Sequence, residues 1–200
     1  MARIIALSDT HLEGEALRPA VASLARGADL ILHAGDFVSE ECRAALEELG
    51  RLEAVHGNSD CAQLKRLLPE RKVIDVEGVR IGLVHMASHG SDLVGAEMMA
   101  REMDVSVLVF GHLHRPIIEK DRHLLICPGS TTLPRMSAPS LAELVIEDGR
   151  IEGSIIPLGS PACSYLRFAG RLAESANNPR LNPSSDSPVR TAATGWPALR

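Results

Sequence analysis

The 200-residue sequence predicts an α/β fold in which two mixed β-sheets lie face to face, with helices on their outer faces. Three observations carry this prediction. Short apolar runs alternate with helical patterns over residues 3–68, which is typical of parallel strands joined by right-handed crossovers. In the second half, apolar runs are instead paired around short turns, as in antiparallel hairpins. Polar clusters follow the strand ends, where ligands bind in open α/β sheets.

The first half of the chain predicts three strands and three helices in alternation. The strands cover 3–7, 29–34 and 53–56, and the helices cover 15–26, 40–49 and 62–68. Each strand is short, apolar and followed by polar or glycine residues. Ser39 is the predicted N-cap of the second helix, which carries two glutamates in its first turn. Gly50 and Pro69 are predicted to stop the second and third helices.

The second half predicts three hairpins, one helix and one further buried strand. The paired strands are 72–76 with 79–84, 117–119 with 124–127, and 141–146 with 150–157. The helix covers 92–103, and the buried strand covers 106–110. The Asp148-Gly149 pair between two apolar runs is a strong signal for a tight hairpin turn.

The composition changes near Leu158. Residues 159–200 are rich in Gly, Pro, Ser and Asn, and such a segment cannot build a packed core. We therefore predict one domain over residues 1–158 and a mostly disordered C-terminal extension over residues 159–200. A short docked helix over 165–173 is the alternative for part of this extension.

Composition excludes several classes of partner. The formal net charge is −5 and the aromatic residues are three Phe, one Tyr and one Trp, which argues against a general nucleic-acid surface. No apolar run approaches the ~20 residues of a membrane span, so no membrane partner is expected. Four scattered cysteines without a CxxC pair indicate a reducing compartment, and a cytoplasmic location is predicted. Oligomeric state is left open, a homo-oligomer included.

Side chains that can bind metals follow almost every predicted strand. Residues i and i+2 of an extended chain face the same side, so Asp9 with His11, and His112 with His114, are predicted to face one site. Imidazole, carboxylate and amide donors without thiolate suit Mn²⁺, Fe, Zn²⁺ or Ni²⁺ better than Ca²⁺. Polar capping of loops is the alternative. The seven candidate ligands are Asp9, His11, Asp36, Asn58, His85, His112 and His114.

Seven donors are too many for one ion and suit two ions that share a carboxylate. Asp36 is the bridging candidate because it is central in the order of the motifs. Two ions ~3.5–4 Å apart can clamp both the attacking and the leaving oxygen of a phosphoryl displacement. Glycines at 35, 57 and 111 are predicted to allow the tight turns that aim the following side chains.

The motifs D-x-H, GD, GN, H and GHxH, in this order, resemble those of the calcineurin-like metallophosphoesterases. Within that superfamily the chain is similar to the small YfcE-type phosphodiesterases, and its segment 127–135 (CPGSTTLPR) is similar to one of their motifs. The resemblance covers residues 1–158 and implies a four-layer α-β-β-α sandwich. It also implies that Asp9, His11, Asp36 and His114 hold one metal, and that Asp36, Asn58, His85 and His112 hold the other.

The resemblance implies a phosphodiesterase in which a metal-bound hydroxide attacks a small phosphodiester, with Mn²⁺ the first candidate for both ions. Asp36, Asn58 and His112 are then the catalytic residues, and His89 and Arg135 are the candidates for substrate contact. The alternatives are a phosphomonoesterase of the same fold and a non-catalytic protein-binding scaffold, since a subunit of the eukaryotic retromer complex looks like this fold. Ser59 departs from the pattern, because many members have a histidine there that helps protonate the leaving group.

Four other polar side chains have simpler predicted roles. His33 and His56 are interpreted as hydrogen-bonded strand histidines or as support for the ligands. Asp60 is interpreted as a cap for the following helix. His123 lies in a hairpin far from the motifs and is predicted to be solvated.

Overall fold

The computed structural model describes residues 1–87, 93–161 and 167 and contains ten strands and four helices in those ranges. In chain order the elements are β1 (Ala2–Leu7), α1 (Pro19–Arg26), β2 (Leu30–Ala34), α2 (Glu40–Glu47), β3 (Leu52–Val55), α3 (Ala62–Leu67), β4 (Arg71–Val76), β5 (Val79–Val84), α4 (Val94–Glu102), β6 (Val107–Phe110), β7 (Pro116–Lys120), β8 (Leu124–Pro128), β9 (Ser140–Glu147) and β10 (Arg150–Pro157). Within the described residues, no helix is long and apolar enough to cross a bilayer.

The strands form two five-stranded mixed sheets. The first has the order β10-β9-β1-β2-β3, in which β1, β2 and β3 are parallel and the hairpin β9–β10 adds antiparallel strands at one edge. The second has the order β4-β5-β6-β8-β7, with parallel β5, β6 and β8 between antiparallel edge strands. The predicted mixture of parallel crossovers and hairpins is confirmed.

Alternating apolar residues divide the core into layers. In β2, Leu30 and Leu32 pack between the sheets, whereas Ile31 packs outward with residues of α1, α2 and α3. Helix α4 covers the outer face of the second sheet, where Ala96 and Ala100 are fully buried. Two sheets enclosed by two helical layers form the predicted four-layer α-β-β-α sandwich, and this fold class is confirmed.

Helix α1 is shorter than the predicted 15–26 and begins at Pro19. Proline favours the first turn of a helix, and it drives the residue before it into an extended conformation. Arg18 accordingly has φ −58° and ψ 134°, so no helix can run through it. Ser39 caps α2 as predicted, because its hydroxyl accepts from the N–H of Cys42 at 3.2 Å.

One prediction falls largely outside the described residues, and another touches their boundary. Residue 92, where the helix 92–103 was expected to start, is not among them, and α4 begins at Val94. Most of 159–200 is not described either, so the disordered extension and its alternative docked helix stay predictions.

Candidate metal centre

The carboxyl ends of β1, β2, β3, β5 and β6 meet at one edge of the two sheets, and the loops that leave them are linked by backbone hydrogen bonds. The N–H of Asp9 donates to the carbonyl of Gly35 at 3.0 Å, and the N–H of His11 to the carbonyl of Asp36 at 3.0 Å. The N–H of Gly111 donates to the carbonyl of His85 at 2.9 Å. These bonds join the end of β1 to that of β2 and the end of β5 to that of β6, and Nδ1 of His85, 2.7 Å from the carbonyl of Ala34, connects the two pairs.

Five of the predicted ligands have a left-handed backbone conformation. Such φ values are uncommon for residues other than glycine, and they cluster at functional sites. An extended chain was the predicted reason for the shared direction of Asp9 with His11 and of His112 with His114. That reason is wrong for both pairs, because β1 ends at Leu7 and β6 at Phe110, and the four residues follow these strands in left-handed conformations. The residues and their φ angles are Asp9 (50°), His11 (45°), Asp36 (61°), His112 (72°) and His114 (55°).

The three glycines of the motifs act in two different ways. Gly35 has φ +85° and forms the turn that was predicted. Gly57 is needed for close approach, since a Cβ there would run into the carboxylate of Asp36. At Gly111 a Cβ would lie 2.8 Å from the carbonyl oxygen of Ala34. Glycine at these two positions lets the loops come together.

One group of four side chains can surround a cation. Each of Asp9, His11, Asp36 and His114 offers a donor atom within 4.8 Å of the others. Nε2 of His114 lies 3.3 Å from Oδ1 of Asp9 and 3.2 Å from Nε2 of His11. Nδ1 of His114 lies 2.7 Å from the carbonyl of Leu133, which only accepts, so Nδ1 carries the proton and Nε2 presents its lone pair. These atoms attract a positive charge.

A second group meets the first at Asp36. Oδ1 of Asn58 lies 3.1 Å from Nε2 of His85 and 3.0 Å from Nδ1 of His112. Oδ2 of Asp36 lies 3.4 Å from Nε2 of His85 and 3.5 Å from Nε2 of His11, so one carboxylate oxygen reaches both groups. The structure therefore brings all seven predicted ligands together.

Burial and neighbouring charges shift the protonation of the centre. Burial raises the pKa of Asp9, and His85 offsets only part of this effect. Burial also acts to raise the pKa of Asp36, but hydrogen bonds from His85 and Ser59 outweigh it and hold that pKa below its usual range. For His85, burial lowers the pKa, yet the bond to Asp36 raises it overall. A proton on Nε2 of His85 would thus compete with a cation for the same atom.

Asp60 joins two ligand loops and does not cap a helix. Its carboxylate accepts from the backbone N–H groups of Asp36 at 3.1 Å, Val38 at 2.7 Å and Gly57 at 2.7 Å. Helix α3 begins at Ala62 after Cys61, without a side-chain cap. The predicted capping role is wrong. The signal available in the sequence was an acidic residue inside a ligand motif, where a buried carboxylate needs several donors.

Ser59 is bonded to Asp36 through both its backbone and its side chain. Its N–H donates to Oδ1 of Asp36 at 2.8 Å, and its hydroxyl donates to Oδ2 at 2.8 Å. The amide of Asn58 donates to the same hydroxyl at 3.1 Å. The hydroxyl proton thus faces the carboxylate, and Ser59 fixes the orientation of two candidate ligands.

The segment 127–135 supports the loop that carries Asp9 and His11. The hydroxyl of Ser130 donates to the carbonyl of Asp9 at 2.6 Å, and the hydroxyl of Thr132 donates to the carbonyl of Thr10 at 2.6 Å. Ser8 returns a hydrogen bond to the carbonyl of Gly129 at 2.8 Å. These hydroxyls were not predicted, since a serine or threonine in a loop carries no sequence signal for a particular carbonyl.

Of the two candidates for substrate contact, Arg135 is among the described residues. Arg135 is exposed, and its N–H donates to the carbonyl of His114 at 2.9 Å, so its backbone adjoins the centre. His89 lies outside the described residues.

Three of the remaining histidines are described. His33 is buried between the hydroxyl of Thr10 at 2.7 Å and the N–H of Gly35 at 3.2 Å, and is the predicted hydrogen-bonded strand histidine. His56 lies half-buried beside Gly57. His123 was predicted to be solvated, but it is half-buried with Nδ1 2.7 Å from Oε1 of Glu97, because the β7–β8 hairpin packs beside α4.

A family model described as the calcineurin-like phosphoesterase superfamily domain matches residues 2–149. The chain belongs to this superfamily. A fellow member, a probable metallophosphoesterase of Methanothermobacter thermautotrophicus, is 35% identical over 166 residues, which cover 81% of this chain and 96% of the relative. The predicted family is confirmed, and together with the cluster of Asp9, His11, Asp36 and His114 it supports a phosphoesterase that uses divalent metal.

Solved structures of other calcineurin-like phosphoesterase folds agree in architecture. One is an archaeal protein described as a novel phosphodiesterase, with TM-score 0.60 and 22% identity, covering 77% of this chain and 99% of that one. Another is Vps29 of Entamoeba histolytica complexed with Zn²⁺, with TM-score 0.63 and 21% identity, covering 78% and 99%. At this identity they show the fold alone, so the function of this superfamily member has to be argued from its site.

Proposed function

We propose that this protein is a dinuclear-metal-dependent phosphodiesterase. The observation that carries the proposal is the position of Asp36, whose Oδ2 lies within 3.5 Å of both His11 and His85. One carboxylate oxygen between two sets of donors is the arrangement that two ions at bridging distance require. Asp9, His11, Asp36 and His114 would hold one ion, and Asp36, Asn58, His85 and His112 the other.

The donor set fits divalent transition metals. Nδ1 of His85 lies 2.7 Å from the carbonyl of Ala34, so Nε2 can present its lone pair, as in His114. Mixed nitrogen and oxygen donors without thiolate favour Mn²⁺, with Fe, Zn²⁺ or Ni²⁺ as alternatives. Bound divalent ions would activate water as a nucleophile and neutralise the charge that develops on the phosphoryl oxygens.

Hydrogen bonds from neighbouring residues orient the candidate ligands. Asp36 is fixed by two hydrogen bonds from Ser59, so its second oxygen points in one direction. His112 donates its backbone N–H to both oxygens of Asp9, at 3.1 and 3.0 Å, while its half-buried ring lies at the edge of the centre beside Asn58. Asp36, Asn58 and His112 are therefore our candidate catalytic residues: Asp36 would hold both ions, and Asn58 and His112 lie where a phosphate can approach the centre.

A diester suits the charge of the centre better than a monoester. The sequence has no cluster of arginines near the motifs that could bind a dianionic phosphate. A diester phosphate carries a single negative charge, which fewer cations can balance. We propose a small phosphodiester as the substrate, hydrolysed by residues 1–158 in the cytoplasm, with Arg135 and His89 as candidates for contact with it.

Metal content and substrate preference test the proposal together. The purified protein, stripped and reloaded with Mn²⁺, should bind two ions per chain and hydrolyse bis-p-nitrophenyl phosphate faster than p-nitrophenyl phosphate. Asp36→Asn should abolish turnover and lower the bound metal, whereas Asp75→Asn, a control on the exposed edge of β4, should change neither. Turnover of the reloaded Asp36→Asn protein at the wild-type rate would contradict the proposal. A protein that binds no metal tightly and has no turnover would favour the scaffold alternative.

A further inference from the structure

A cavity of about 200 Å³ opens beside the second group of candidate ligands. Asn58 and His85 form its inner edge, so whatever fills it also adjoins the metal centre. An apolar cavity of roughly 150 Å³ is enough to hold a benzene ring, whereas drug-sized ligands need about 300 Å³ or more. The space therefore suits a single ring.

Three apolar side chains line this cavity. They are Val84 at the end of β5, Met86 just after it, and Met99 on α4. Methionine side chains adapt to flat or irregular groups and make favourable contacts between sulfur and aromatic rings. A wall with two methionines is thus suited to a planar apolar group.

Lys65 brings a positive charge to the edge of the cavity. Its ammonium donates to the carbonyl of Asn58 at 2.7 Å, which keeps the charge beside a candidate metal ligand. Arg71 also lines the cavity and is paired with Glu102 at 2.8 Å, while Glu70 adds one negative charge. This edge suits a phosphate monoanion held at the centre with its substituent directed into the cavity.

We infer that this cavity is the subsite for a ring-sized planar substituent of the phosphoester, so that the substrate class is an aryl-type diester. The inference rests on the proposed phosphodiesterase function. It also gives a reason for diester preference, because a second substituent bound away from the reacting atoms contributes binding energy that a monoester lacks.

The test compares two diesters that share the p-nitrophenolate leaving group. Phenyl p-nitrophenyl phosphate offers a ring on the group that stays on phosphorus, and methyl p-nitrophenyl phosphate does not. Met86→Trp and Met99→Trp fill the cavity. Met98→Trp is the matched control, since Met98 lies on the same helix, is 66% exposed and is not among the residues that line the cavity.

Both filled variants should lose about tenfold or more in kcat/KM for the phenyl ester, while Met98→Trp retains the wild-type value. A loss confined to the phenyl ester supports the subsite, whereas an equal loss for both esters contradicts it, because only the ring retained on phosphorus distinguishes the two substrates. Met86 is 38% exposed, so its replacement is the informative one if Met99→Trp fails to fold.

Binding without turnover gives an independent measurement. By calorimetry, phenylphosphonate should bind the metal-loaded protein more tightly than methylphosphonate, and Met86→Trp should remove that preference. The inference is overturned if Met86→Trp retains both the phosphonate preference and the wild-type kcat/KM. If the wild-type protein hydrolyses neither diester, the proposed function fails, and the phosphonate preference alone still decides whether the cavity binds a ring.

Discussion

Replacing Asp60 with asparagine tests whether one buried carboxylate holds the loops of Asp36 and Asn58 in place through hydrogen bonds to their backbone. Asp60 is 4% exposed, and its Oδ2 accepts from the N–H groups of Asp36 and Gly57 while Oδ1 accepts from that of Val38. Val38 has φ 83°, a strained value for a β-branched residue, and this hydrogen bond is one of the contacts that hold it. Asparagine has the same shape but only one accepting oxygen.

The size of the effect follows from the number of donors. The better amide orientation keeps the oxygen near Asp36 and Gly57 and turns the NH₂ toward the N–H of Val38, which loses its acceptor. A part-buried donor without a partner costs about 1–3 kcal/mol. The two remaining hydrogen bonds lose their charge assistance, which is about half their strength. We expect Asp60→Asn to lower the free energy of unfolding by about 2–4 kcal/mol and metal affinity by about tenfold or more.

A variant of equal stability separates positioning from general destabilisation. Ile146 is fully buried and pairs with Ala2 at the start of β1, at the opposite end of that strand from Asp9. Ile146→Ala should cost about 2–5 kcal/mol in stability. Urea unfolding and Mn²⁺ titration of both variants form the assay. Equal loss of metal affinity in both, or wild-type affinity in Asp60→Asn, would refute the positioning role.

Three further predictions address the leaving group, the extension and a buried histidine. The rate should depend strongly on leaving-group pKa, and Ser59→Ala should leave that dependence unchanged, because the Ser59 hydroxyl donates to Asp36; a flat plot of log kcat against leaving-group pKa would contradict this. A chain that ends at residue 158 should keep the wild-type melting temperature and metal content, and a large drop in melting temperature would show that the extension docks. Burial holds the pKa of His33 well below 6.5, so as pH falls below 6.5 the unfolded chain gains a proton that the folded chain excludes, and stability falls. Without metal, His33→Gln should therefore lose about 1.4 kcal/mol less stability than the wild-type protein between pH 7.5 and 5.5 in urea unfolding, and identical losses would refute the assignment.

The fold was predictable because local and global signals agree in most elements. Short apolar runs predicted the strands within one or two residues, and Asp148-Gly149 forms the expected tight turn with both residues at positive φ. The largest error, the start of α1, came from extending an amphipathic pattern through Pro19. The periodicity of apolar residues indicates which face of a helix is buried but not where the helix begins. The ring of Pro19 drives the preceding Arg18 into an extended conformation, and this sets the start of α1.

For the candidate site, the sequence allowed prediction of which side chains come together but not of the backbone conformation that carries them. Residue types and motif order identified seven donors that the structure brings together, but the backbone conformation that turns them inward was predicted incorrectly. Five left-handed residues cannot be read from periodicity, since their φ angles depend on hydrogen bonds between separate loops. Asp60 and Ser130 show the same limit, because each contacts backbone groups far away in sequence.

The side chains that can bind metal differ from those that hold the loops in place, and this determines what the substitution of a metal ligand would do. The donors come from five strand ends, while Asp60, Ser59 and Ser130 hold the loops through backbone groups and the Asp36 carboxylate. Backbone contacts do not depend on which donor side chain the loop carries. Substitution of a donor at the exposed edge, such as Asn58, would therefore remove metal binding while leaving the loops in place. A fold shared by proteins with different functions can thus lose its chemistry without losing its shape, and intact donors carry more weight for enzymatic function here than the fold itself.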